Sequence, residues 1–138
     1  MKKIILMLAT VMMLAVCSVC SATPGKVLDS ELFIIDKFVT ATNYKAIEPM
    51  LNPEFKNDFN EESFNNFKKL TDTNFGALNS KTLRLITKLD DADILEFQAS
   101  YSKIPQAALV FAFSVEKEKP LIRDFTIQLP RKEEPAQK

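Results

Sequence analysis

Cys17 and Cys20 have the Cys-x-x-Cys spacing of a redox or metal pair, and Asp90, Asp91 and Asp93 crowd one short stretch as a hard-cation site would. Neither reading fits its surroundings. A Cys-x-x-Cys pair works from a folded setting, whereas these two cysteines end a hydrophobic leader. A calcium loop of the EF-hand type spreads its acids over about twelve residues around a central Gly and closes on a Glu. Here no Gly is present, and Ile94 and Leu95 return at once to a strand pattern. The three aspartates are therefore expected in a solvated hairpin turn, with no metal site and no cofactor. The chain has no His. With both cysteines in the leader, this excludes a Ser-His-Asp triad, a Cys nucleophile and a conventional zinc site. Carboxylate, Tyr, Lys and Ser/Thr chemistry is what remains.

The leader is read from residues 1–22: a basic "MKK", an apolar run "IILMLATVMMLAV", and the small-residue step Cys20-Ser21-Ala22. That run is short for a membrane span, which needs about 20 residues, and suits a signal peptide cut before Thr23. A secreted or periplasmic protein is expected. The rival is lipid anchoring at Cys17 or Cys20, but Val16 stands where a lipobox carries Gly, Ala or Ser.

Of the 18 basic residues, Lys2 and Lys3 would leave with the leader and none of the 18 acidic ones would, so the remainder carries a net charge of −2. A nucleic-acid partner, which asks for a basic face, is not expected. Residues 23–130 are long enough for one domain, which without disulfides must be held by its core. All eleven Phe lie there. The tail 131–138, "RKEEPAQK", has no large apolar anchor and is expected to be disordered.

The first half of the domain has helical spacing. Leu28, Leu32, Ile35 and Val39 recur as one stripe, widened by Ile34 and Phe38. Asn43 can cap a second helix that Pro49 must shorten or break, and "NPEF" then reads as a turn. Asn60 caps a third helix, with Phe59 and Phe64 in staple positions and Gly76 as its stop.

After Gly76 the period changes to two. Leu83, Leu85, Thr87 and Leu89 share one face of a first strand, and Leu95, Phe97, Ala99 and Tyr101 share one face of a second. Leu109, Phe111 and Phe113 line an inner strand, and Leu121, Phe125, Ile127 and Leu129 line the last. Arg123 falls in phase with that last inward set. A regular register would place Leu85, Phe97, Phe113 and Arg123 in one row. A guanidinium there must either pair with a helix acid such as Asp36 or Glu48, or anchor an anionic head beside Tyr101, with an apolar tail against Phe97, Phe111 and Phe113.

Helices followed by a four-stranded antiparallel meander make an α+β domain with N-terminal helices on a curved sheet. From "YKAIEPMLNPEF" through "NEESFNNFKKLTDTNFGALNSKTLRLI", the chain resembles small secreted bacterial domains of the nuclear-transport-factor-2-like, cystatin-like superfamily. That resemblance implies a cone with a pocket at its open end and pairing through the outer sheet face. The true cystatin loop Gln-x-Val-x-Gly is absent after Gln98, Gln106 and Gln128. The function expected is a non-catalytic binding module for a small apolar or anionic ligand, or for a peptide or protein partner. The alternative is a small isomerase- or dehydratase-like enzyme using a carboxylate and a Tyr. Polar residues on the outer strand face, including Arg84, Lys88, Glu96, Gln98, Asp124 and Gln128, point to a monomer or weak homodimer.

Overall fold

The computed structural model describes residues 24–116 and 119–130. The leader with Cys17 and Cys20, the cut before Thr23 and the tail 131–138 lie outside the described residues. Helix α1 spans Pro24–Thr40, two 3₁₀ turns cover Tyr44–Ala46 and Glu48–Met50, and helices α2 and α3 span Pro53–Asp58 and Glu61–Asn74. Four strands follow: β1 Leu78–Lys88, β2 Ala92–Tyr101, β3 Ala107–Glu116 and β4 Lys119–Gln128. They pair antiparallel in the order β1-β2-β3-β4, so the meander read from the alternation is present and the helices cover one of its faces.

Local chemistry explains the helix boundaries. The Asn43 side chain accepts from the Ala46 N–H, and the proline at position 49 limits the following element to a single 3₁₀ turn. "NPEF" is not a bare turn: Asn52 accepts from the Glu54 N–H and Pro53 occupies the first helical turn, which together start α2. Asn60 caps α3 by accepting from the Ser63 N–H. Leu51 forms a parallel bridge with Ile122, and the Asn52 N–H donates to the Ile122 carbonyl at 2.8 Å, covering part of the β4 edge.

Three one-residue bulges decide which side chains meet the core. Asn79 and Arg84 are the extra residues of β1 against β2, and Arg123 is the extra residue of β4 against β3. Because strand faces alternate with a period of two, each bulge reverses the face of everything beyond it. After Arg84, Ile86 and Lys88 take the helix side, whereas Leu85 and Leu89 are left 54% and 51% exposed. Before Arg123, Ile122 replaces Leu121 as the aliphatic side chain that β4 buries in the core. The inward rows are therefore Leu83-Phe97-Leu109-Ile127, Ile86-Leu95-Phe111-Phe125 and Lys88-Asp93-Phe113-Ile122. The expected row with Leu85, Phe97, Phe113 and Arg123 does not form. Lys88 belongs to the helix side rather than the outer face, and Asp93 is buried in β2 while Asp90 and Asp91 form the exposed turn.

The buried stripe of α1 is Glu31, Ile34, Ile35 and Phe38, with Leu28, Leu32 and Val39 flanking it. Phe75 closes α3 by donating its N–H to the Thr71 carbonyl, and Gly76 follows at φ 78°. A Cβ on Gly76 would collide with Ser102 Oγ, which accepts a hydrogen bond from the Ala77 N–H. Both the left-handed backbone and this contact demand glycine. Gly76→Ala should destabilise the fold by about 2 kcal/mol or more, and removing the obstructing hydroxyl with Ser102→Ala should recover part of that loss. Urea midpoints of the single and double variants check this; additive losses would contradict it.

Candidate functional site

Seven phenylalanines form a continuous aromatic cluster between the helices and β3–β4. Phe38 of α1 lies 4.7 Å from Phe125, 5.5 Å from Phe111 and 6.0 Å from both Phe59 and Phe67, measured between ring centroids. Phe55 and Phe64 extend the cluster on either side of Phe59. Most contacts are tilted or edge-on, the arrangement favoured by the ring quadrupole.

The cluster does not fill the whole interlayer space. A cavity of about 310 Å³ remains between the end of α1, the second half of α3 and the inner face of the sheet. Phe38, Phe67, Phe111 and Phe125 form its aromatic wall, and Leu109 and Ile127 continue the apolar surface. Tyr101 brings a phenol to the lining, and Thr40, Lys68, Thr71 and Asp72 add polar groups, of which Thr40 and Asp72 are exposed at the rim. Burial holds the Tyr101 phenol above its ordinary pKa, so near neutrality it is a hydroxyl donor. Mostly apolar walls with a few polar groups are the makeup of small-molecule sites, and the volume lies at the lower end of their range.

The residues expected to hold a ligand do not all converge. Tyr101 and Phe111 line the cavity. Phe97 and Phe113 are inward and buried, but are spent on packing: Lys81 Nζ sits 5.3 Å from the Phe97 ring centroid, and Phe113 lies in the Asp93 row. Arg123 is displaced altogether. Its bulge turns it to the outer side, where its side chain is half exposed and Nη1 donates to Asp91 Oδ2 at 3.0 Å. The Arg123 partner is thus a turn aspartate rather than Asp36 or Glu48; Asp36 pairs with Lys81 instead. Glu54, Asp58 and Asp124 share shallow surface grooves with Arg123, a setting that does not favour an anion.

Phe38, Phe67, Phe125 and Lys68 are site residues that pattern alone did not single out. Phe38 and Phe67 carried a signal, since both lie on apolar helical stripes. No protein-family model matches the chain, and no curated protein or solved structure is significantly similar to it.

The Arg123–Asp91 pair is exposed on both sides, and pairs of this kind contribute at most about 1 kcal/mol. Arg123→Met should therefore leave stability within about 1 kcal/mol of the parent, whereas Phe38→Ala should cost about 3–5 kcal/mol. Guanidinium denaturation of both variants measures the contrast; a large loss for Arg123→Met would contradict the outward placement.

Proposed function

We propose that this protein is a non-catalytic extracytoplasmic binding module that holds one small amphipathic molecule in the cavity between α1, α3 and the sheet. The observation that supports this most directly is the lining: an aromatic and aliphatic wall interrupted by Tyr101 and Lys68. An apolar chain or ring fits against Phe38, Phe111 and Phe125, and its polar end meets the Tyr101 hydroxyl or the Lys68 ammonium. The helices-then-meander order is compatible with the nuclear-transport-factor-2-like, cystatin-like resemblance, whose members often carry a pocket at the open end of the cone.

The enzyme alternative has less to work with. Asp72 is the only acid among the residues that line the cavity, and it is exposed at the rim, whereas acid–base chemistry asks for a carboxyl tuned by burial. The outer strand face carries Arg84, Glu96 and Gln98 around the exposed Leu85, and supports the reading of a monomer or weak homodimer.

Dodecanoate is a suitable probe, since its chain matches the apolar wall and its carboxylate matches the two donors. Thr71 is half-buried at the cavity, so Thr71→Trp should fill it while leaving the aromatic cluster in place. Titration calorimetry should show binding to the parent, weakened at least tenfold by Thr71→Trp. Absence of binding to the parent, or equal binding to both proteins, would overturn the proposal.

A further inference from the structure

Glu31 begins the buried α1 stripe that continues with Ile34, Ile35 and Phe38, and it is fully buried. Among the described residues, no N–H or O–H donor gives a hydrogen bond to either of its carboxyl oxygens. Asp93 of β2 faces it within hydrogen-bonding reach and is only 6% exposed. Lys88 stands opposite Asp93 in the β1–β2 register, contacts Asp93 Oδ2 directly, and places Nζ 3.8 Å from Glu31 Oε2. Asp93 and Lys88 are the charged groups that act on Glu31. The row continues across β3 and β4 with Phe113 and Ile122, which are apolar.

With both carboxyls withdrawn from water and the Lys88 side chain half exposed, two carboxylates and one ammonium leave an excess negative charge if all three are ionised. One added proton removes that charge and also supplies the donor that the Glu31–Asp93 contact lacks. We propose that a single proton held between Glu31 and Asp93, balanced by Lys88, latches the first half of α1 onto the β1–β2 hairpin and that rising pH releases it. Glu31 precedes Phe38 by two turns on the same helix face, roughly 10 Å along the axis. The latch therefore steadies the helix that supplies Phe38, Val39 and Thr40 to the cavity wall. It rests on this cluster alone and stands whether or not the cavity binds a ligand.

Burial, the largest cause, pushes the Glu31 carboxyl from 4.5 up to about 8; the hydrogen bond with Asp93 and the Asp93 charge act in the same direction, and Lys88 opposes them. The folded protein thus holds a proton that the unfolded chain gives up at lower pH. The contribution is full below the unfolded value, falls as pH rises from about 4.5 to about 8, and is gone above that.

Urea unfolding of the parent, Glu31→Gln and Lys88→Met between pH 5 and about pH 9.5 tests the latch. The parent's unfolding constant should rise by up to roughly tenfold per pH unit up to about pH 8 and then level off. Protection of the Ile34 and Ile35 amides from hydrogen exchange, corrected for base catalysis, should decline in step. Glu31→Gln keeps a neutral donor toward Asp93 and should lose this dependence. A flat parent profile, or the same slope in Glu31→Gln, would overturn the proposal. Should Glu31→Gln not fold, Lys88→Met decides: losing the opposing charge should leave the start of the decline in place and carry its levelling-off above pH 8, and an unmoved levelling-off would overturn the latch.

Discussion

Phe38 is where the layers of this protein are joined. Its ring touches Phe59 before α3, Phe67 within α3, Phe111 in β3 and Phe125 in β4, so one side chain fixes α1 against the other helices and against the sheet. Residues 24–130 contain no cysteine, so no disulfide ties these elements together, and that convergence carries much of the burden that cross-links carry in small disulfide-rich domains. The same convergence walls the cavity: Phe38, Phe67, Phe111 and Phe125 line one side of it, and Tyr101, Leu109 and Ile127 continue the lining.

The bulge at Arg123 is what allows Phe125 to reach Phe38 while Ile122 reaches Phe113. With strict alternation, burying Phe125 and Ile127 would also bury Arg123 and expel Ile122. One extra residue lets β4 turn Ile122, Phe125 and Ile127 toward the core together and sends the guanidinium to Asp91 at the surface. The Arg84 bulge does comparable work in β1, turning Ile86 and Lys88 toward the helices at the expense of Leu85. Both arginines stand where the ladder is interrupted, and both extend to polar partners outside the core, Gln98 and Asp91.

This also explains how much was legible in the sequence. Long-period signals held: the α1 stripe, the Asn60 cap, the Gly76 stop and the four strands of the meander are all present. The inward faces of β2 and β3 followed from alternation because those strands pair with each other without interruption. Those of β1 and β4 followed only on one side of each bulge: Leu83, Phe125 and Ile127 face the core as read, whereas Leu85, Leu121 and Arg123 do not, since a bulge has no composition of its own and reverses every residue past it. Tyr101 and Phe111 were found at the cavity for the first reason, and Arg123 was misplaced for the second. Glu31 and Asp93 were missed because a carboxyl in phase with an apolar stripe reads as solvated until its partner across the layers is known.

We propose the inner cavity, and not the outer sheet face, as the binding surface of this domain. Backbone and methyl chemical-shift mapping during a dodecanoate titration tests it most directly. Shifts centred on Tyr101, Leu109, Phe125 and Ile127, with Leu85, Glu96 and Val110 unmoved, are the predicted result. Shifts centred on Leu85, Glu96 and Val110, with the cavity residues unmoved, would contradict it.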